Sequence, residues 1–246
     1  MRVLFGAAGR LGTAVRRTAP ESPALYCHGL GGGGKPAPVD LAFADPVIPE
    51  GTETVINCAA MSAPGDCRRD PAAAFRVNSL WPRRLAVRCA ELGIGLIHMS
   101  TDLVWSGGIP PYGRSSPAVP MSLYGWTKLI GDILVRRAHP GALVVRTSVL
   151  VGETGARRPT FSEEITSGAV SRFYTDSIRH HTRIMPMAET LHRLAGEGAS
   201  GLILAASPLA MSRLAFAATM IPEPKGIRAP RGVPLNLTMR VDVEVV

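Results

Sequence analysis

The sequence predicts an α/β fold, a doubly wound parallel sheet with a small C-terminal lobe. Three observations lead there. Short apolar strands alternate with longer helical stretches over the first two-thirds of the chain, the first strand runs straight into a glycine-rich turn and a helix, and the alternation weakens only after about Gly152. Strand–helix alternation implies parallel strands joined by right-handed crossovers, and binding sites in such sheets lie beyond the carboxyl ends of the strands. A length of 246 residues suits one such domain with a modest appendage.

Taken in order, Arg2 to Phe5 reads as the first strand, because its apolar run breaks at Gly6. That break also comes too soon for the apolar core of a signal peptide. Gly12 to Arg17 opens a helix, and Ala24 to Cys27 is a second strand, followed by the glycine run Gly29 to Gly34. Val39 to Leu41 and the strand Thr54 to Asn57 come next. Asp70 to Leu92 is helical: Pro71 sits near its start, apolar residues recur at helical spacing, and Gly93 lies just past its end. Ile94 to Met99 is apolar and β-prone, Leu123 to Ala138 is helical, and Ala142 to Thr147 is a strand. Beyond Gly152 the pattern predicts helical pieces at Glu163 to Val170, Ala188 to Ala195 and Met211 to Met220. A strand at Gly201 to Ala205 and a tail rich in Pro and Arg, Pro222 to Pro234, complete the reading.

Composition narrows the function. Hydrophobic residues make up 46% and charged residues 19%, a globular balance, and no stretch approaches the roughly 18 to 20 apolar residues that cross a bilayer. A cytoplasmic protein without membrane contact is the expectation. The four cysteines show neither C-x-x-C spacing nor a histidine placed for zinc, which predicts reduced thiols and no metal site. The net charge of +8 comes from scattered arginines, and aromatics are only 5%, so the basic, aromatic-laced stripe of a nucleic-acid binder is missing. The charge favours anionic small ligands.

The first strand leads into Gly6-Ala7-Ala8-Gly9-Arg10-Leu11-Gly12. Glycines there allow a sharp turn, close approach of a pyrophosphate and tight helix–sheet contact, while the helix start offers unpaired N–H groups to phosphate. A glycine triplet alone is weak, since ordinary turns also use glycine; directly between a strand and a helix it signals a Rossmann-type dinucleotide site. The spacing G-x-x-G-x-x-G is that of extended short-chain dehydrogenases. An acidic residue at the end of strand two would hold the ribose of NAD, but the chain has Tyr26-Cys27-His28-Gly29 there, with Arg10 and Lys35 available. NADP(H) is therefore preferred, with NAD(H) the alternative, and residues 1–150 form the NAD(P)-binding domain. Residues 151–246 form a shortened substrate lobe interleaved with it.

Tyr124 and Lys128 stand one turn apart on a predicted helix, and Ser100-Thr101-Asp102 closes a strand at the carboxyl edge of the sheet. A carbonyl that accepts hydride becomes an alkoxide and needs a proton, which a phenol can give if a neighbouring ammonium lowers its pKa. The Thr101 hydroxyl would orient the carbonyl oxygen. Tyr-x-x-x-Lys alone commonly means a core tyrosine beside a solvated lysine; its combination with the glycine turn and the strand-end hydroxyls carries the reading. His180 and His181 read as exposed loop histidines.

At these residues the sequence resembles the dTDP-4-dehydrorhamnose reductase family, from residue 1 to roughly residue 215. The matching pieces are Leu4 to Gly12, Val39-Asp40-Leu41, Val55 to Ala60, Arg76-Val77-Asn78, Met99 to Trp105, Tyr124 to Lys128, Val145 to Ser148 and Phe173 to Arg179. The resemblance implies Thr101, Tyr124 and Lys128 as the catalytic trio, with Tyr124 and Lys128 also meeting the cofactor. It also implies that Gly6, Ala8, Gly9, Arg10, Leu11 and Gly12 cradle the cofactor phosphates and that Asp40 and Leu41 flank the adenine. Cys58, Ala59, Ala60 and Met99 would line the groove, with Asp102, Trp105, Thr175 and Arg179 facing the substrate. Leu103 stands where related dehydratases carry a glutamate and related epimerases a serine, which favours reduction of a keto group on a nucleotide-linked 4-keto-6-deoxy sugar or a related polar metabolite. Two alternatives stay open: a redox-neutral epimerase or dehydratase with tightly held NAD, and a regulatory subunit that binds cofactor without turnover. A homodimer is among the assemblies the resemblance allows.

Overall fold

The computed structural model describes residues 1–19, 25–27, 41, 43 and 45–246. The strands anticipated in the first two-thirds of the chain are present. They are β1 (Arg2–Phe5), β2 (Leu25–Cys27), β3 (Thr54–Asn57), β4 (Gly95–Thr101) and β5 (Leu143–Thr147), and with the later β9 (Gly201–Ala206) and β12 (Val243–Glu244) they form one sheet. Its order is β12-β9-β5-β4-β3-β1-β2 and every pairing is parallel. Strand order reverses at β1, which lies between β2 and β3, and the crevice of an open α/β sheet lies at that reversal.

Alternate side chains on the strands build two cores, as the two-residue period of a strand requires. Leu4, Ile56, Ile97 and Val145 face α1 (Arg10–Arg17) and α7 (Ile184–Gly196), packing on Ala14, Val15, Leu191 and Ala195. Val3, Phe5, Val55, Leu96 and Val144 face the opposite layer, α4 (Trp81–Glu91) and α5 (Leu123–Ala138), where Trp81, Leu85 and Val135 are fully buried. The predicted helix over Asp70 to Leu92 is continuous but not uniform. It comprises α3 (Pro71–Phe75), a wide π turn at Arg76–Leu80, and α4. The short α2 (Pro64–Arg69) precedes it.

The later residues depart most from the sequence reading. The lobe contains β6 (Val149–Val151), α6 (Phe161–Thr166), β7 (Arg172–Tyr174), β8 (Ile178–Arg183), β10 (Ala210–Ser212), α8 (Arg213–Ala218) and β11 (Lys225–Ile227). These make a three-stranded sheet, β10-β8-β6, and a two-stranded pair, β11-β7. The helix expected over Met211 to Met220 is split at Ser212, whose hydroxyl accepts the Ala215 N–H and caps a shorter helix. Helix α6 stops before the expected Val170, because Gly168 turns the chain at φ +73°. The tail rich in Pro and Arg contributes β11. His180 and His181 are not exposed: they lie on β8, 1% and 6% accessible. His180 Nδ1 donates to the Ser207 carbonyl and Nε2 accepts the Met239 N–H. His181 stacks on Phe216 at 4.2 Å between ring centroids, and burial pulls its pKa down to about 3. No helix among the described residues is long and apolar enough to cross a membrane.

Candidate active site

The glycine turn is fixed by contacts that forbid side chains. Gly6 adopts φ +82°, and a Cβ there would lie 2.5 Å from the Ala59 nitrogen; one on Gly12 would lie 2.1 Å from the Gly6 carbonyl oxygen. These approaches lock the end of β1 to the residues after β3, where Cys58 N–H donates to the Phe5 carbonyl. Gly9, the residue before α1, is exposed, and the first turn of α1 carries no acidic residue while its last turn carries Arg16 and Arg17. The helix start is thus open toward an anion, and Arg10 stands in the adjoining wall.

Helix α5 is placed with equal closeness. Ser122 caps it by accepting the Gly125 N–H. A Cβ on Gly125 would sit 2.3 Å from the Leu103 carbonyl oxygen, and one on Gly131 would sit 2.3 Å from that of Asn78 in the π turn. Asn78 also donates to Thr127 Oγ1 and to the Met61 carbonyl, while Ser79 Oγ donates to the Thr127 carbonyl. Helix α5 therefore cannot slide against its neighbours, and it directs Tyr124 and Lys128 to the carboxyl edge where β4 ends at Thr101.

A cavity of about 460 Å³ opens between the turn and this edge. Gly9, Arg10, Leu11, Cys58, Ala60, Met99, Thr101, Tyr124 and Lys128 all line it. Gly6, Gly12 and Ala59 stand behind the wall and shape it. The Thr101 hydroxyl accepts the Leu103 N–H and donates to Asp102. Burial first, then the Asp102 carboxylate, push the Tyr124 phenol well above its ordinary range, with Arg10 pulling the other way. Lys128, expected to lower the phenol, instead donates to the Met99 carbonyl at 2.7 Å, and burial brings its own pKa down to about 8 against the pull of Asp132 and Cys58. At neutral pH the phenol carries its proton.

Arg179 reaches the cavity from β8 and is held by Asp102. Its Nε donates to Asp102 Oδ2 at 2.6 Å and its Nη2 to Oδ1, while Ser148 also donates to Oδ2. Asp102 is wholly buried and does not line the cavity, so it anchors Arg179 rather than meeting a ligand. Trp105, too, is placed elsewhere. It lies in a third apolar cluster with Leu204 and Leu237, stacked on Tyr112. Thr175 is exposed and binds the Ile227 carbonyl through its N–H, closing the β7–β11 pair. Leu41 packs on the α4 side, its carbonyl accepting from Arg84. Ala8 is exposed on the turn but is not in the cavity wall. Asp40, His28 and Lys35 lie outside the described residues.

The wall also holds residues the sequence reading did not single out: Ser148, Phe161, Glu164 and Arg213. Arg213 lies over the Phe161 and Tyr174 rings at 5.1 and 5.2 Å, and its Nε has no hydrogen-bond partner among the described residues. Only the folding of β8 and α8 over the sheet brings it there, and no spacing along the chain announces it. Arg10 and Arg213 are thus the wall's guanidinium groups without a carboxylate ligand among the described residues, since Arg179 is already paired with Asp102.

The family described as RmlD substrate binding domain matches residues 1–230. A dTDP-4-dehydrorhamnose reductase of Mycobacterium tuberculosis is 34% identical over 192 residues, covering 75% of this chain and 63% of the relative. A probable dTDP-4,6-dihydroxy-2-methyloxan-3-one 4-ketoreductase of Streptomyces antibioticus is 38% identical over 177 residues, 68% of this chain and 58% of the relative. The chain thus spans under two-thirds of the length of these relatives. Among solved structures, a dTDP-4-dehydrorhamnose reductase from Bacillus anthracis in complex with NADP superposes with a TM-score of 0.82 at 21% identity, over 98% of this chain and 89% of that one.

Proposed function

The chain belongs to the RmlD substrate binding domain family, and on that premise we propose that it reduces the keto group of a nucleotide-linked sugar with NADP(H). The observation that carries this reading is a single cavity lined by Thr101, Tyr124 and Lys128 at one side and by the start of α1 at the other. The residues fit a dinucleotide. Gly6 and Gly12 leave no room for a Cβ, the start of α1 is free of acid, and Arg10 stands beside it. When bound, the reduced nicotinamide supplies hydride to the carbonyl carbon.

The chain's own residues handle position and proton. Thr101 Oγ1 stands in the wall to bond the carbonyl oxygen, and the protonated Tyr124 phenol donates to the oxygen as charge develops on it. Lys128 is held one turn from Tyr124 by its bond to the Met99 carbonyl. Arg213, with its ring supports and no carboxylate ligand among the described residues, suits an anionic group of the substrate. The relatives named as reductases of dTDP-linked keto sugars support this choice of substrate.

The test is a fluorescence titration with NADPH and NADH, followed by a panel of nucleotide-linked 4-keto sugars added to the complex. Tight NADPH binding with loss of its absorbance on adding one ketone is the expected result. Binding without consumption would overturn the reductase assignment, and no binding of either cofactor would overturn the site itself.

A further inference from the structure

Lys128 is a buried charge in need of a counter-ion. The residue is 2% exposed, and its Nζ donates to the Met99 carbonyl at 2.7 Å. Burial brings its pKa down to about 8, so at neutral pH the group is mainly an ammonium. A carbonyl dipole bonds that charge but does not neutralise it. The titratable groups around it are His98 of β4, Cys58 after β3, and Tyr124 and Asp132 on α5, with Arg146 of β5 behind Asp132. Burial, and then the charge on Lys128, keep His98 uncharged. Burial pushes the Cys58 thiol up to about 12, and the Tyr124 phenol keeps its proton. Asp132 is the group left to balance the ammonium. It stands one turn beyond Lys128 on α5 and is equally buried.

The two oxygens of Asp132 are used differently. Oδ2 accepts the Ser100 hydroxyl at 2.9 Å and Arg146 Nε at 3.1 Å. Oδ1 has no hydrogen-bond partner among the described residues. It lies 3.9 Å from His98 Nε2, the ring nitrogen that is also 3.2 Å from Lys128 Nζ. Arginine–carboxylate pairs are frequently bidentate; this one uses a single oxygen for Arg146 and turns the other toward the Lys128 side. Burial pushes the Asp132 carboxyl up, while Arg146, Lys128 and the Ser100 hydroxyl hold it down. We propose that Asp132 is a positioning residue that keeps Lys128 an ammonium through its unbonded Oδ1, and so sets the pH above which the cavity loses its hold on an anionic dinucleotide. This deepens the reductase reading and rests on it for the cofactor. An ammonium in the wall attracts the dinucleotide phosphates, and that attraction ends when Nζ gives up its proton to solvent.

The charge can be read by NMR without cofactor. The full chain has only three lysines, Lys35, Lys128 and Lys225, so isotope labelling of lysine at Cε gives few signals, and Lys128→Met identifies one of them by its loss. Lys128 should titrate near pH 8, below the other two. Asp132→Asn should lower its midpoint by about one pH unit, a tenfold change in proton affinity. The alkaline fall in NADPH affinity, followed by fluorescence titration, should move down by the same interval. Arg146→Met leaves Asp132 to Lys128 alone and should move both upward. If Asp132 served Arg146 alone, both variants would weaken the fold and leave Lys128 where it was. Where Asp132→Asn folds poorly by far-UV circular dichroism, adding Arg146→Met removes the stranded guanidinium, and the Lys128 midpoint should still fall. An unmoved midpoint in folded protein overturns the proposal, as does a shifted midpoint with an unmoved pH limit for NADPH. Failure of the native chain to bind NADPH at any pH would overturn the reductase reading, and the lysine titration then decides the hold of Asp132 on Lys128 by itself.

Discussion

Removing the Asp102 carboxylate should cost more stability than any other single polar change near the cavity. In Asp102→Ala the guanidinium of Arg179, whose side chain is only 8% exposed, loses both of its hydrogen bonds to carboxylate and keeps a single contact with Ser148 Oγ at 3.3 Å. A buried charge stripped of its partner costs about 3 to 5 kcal/mol, a large part of the roughly 5 to 15 kcal/mol that holds a domain folded. With a urea slope of about 3 kcal/mol/M, the unfolding midpoint falls by about 1 to 1.7 M. Replacing both partners, Asp102→Leu with Arg179→Met, removes the buried charges together, and most of the loss should return. Urea unfolding of the two single variants and the double, followed by far-UV circular dichroism at pH 7, measures this directly. A loss under 1 kcal/mol in Asp102→Ala, or a double variant no more stable than the single, would refute the view that Asp102 serves to neutralise Arg179.

Three further outcomes are expected. Tyr124→Phe keeps the fold and cofactor binding but loses about 10²- to 10⁴-fold in ketone turnover, read from NADPH absorbance; undiminished turnover removes Tyr124 as the acid. Gly131→Ala places a Cβ 2.3 Å from the Asn78 oxygen, so thermal and urea unfolding should show a loss of about 1 to 3 kcal/mol despite the better helix propensity of alanine. Burial pushes the Cys89 thiol from 9.0 up to about 12. The fold holds a proton that the unfolded chain releases above pH 9, so this stability is intact below pH 9 and declines as pH rises. Between pH 9 and 11 the loss amounts to about 2 kcal/mol, and Cys89→Ala should flatten that limb of the stability profile.

Legibility in the sequence followed the locality of the signal. The strand–glycine–helix unit at Arg2 to Arg17 and the long helices were readable because hydrophobic period, caps and glycine stops lie within the segments themselves. The i, i+4 placement of Tyr124 and Lys128 was readable for the same reason. The lobe was not. Strand β8 reads Ile-Arg-His-His-Thr-Arg, and its histidines look solvated until Ser207, Met239 and Phe216 close around them from distant parts of the chain. The partner of Asp102 was equally hidden, since Arg179 lies 77 residues away and both looked like groups for a ligand rather than for each other. Trp105 shows the converse error: an aromatic beside a site motif turned inward to Leu204 and Leu237.

The π turn at Arg76–Leu80 separates what the fold needs from what the site needs. A wide turn of this kind amounts to one extra residue in a helix, so a chain shortened by one there could still wind straight through, with Ala74 and Leu85 each facing inward as before. What such a shortening would forfeit is the carbonyl of Asn78 against Gly131 and the amide of Asn78 between Met61 and Thr127. The additional residue thus functions as a spacer that sets the height of α5 along the sheet, tuning the reach of Tyr124 and Lys128 without any change to the residues that meet a ligand.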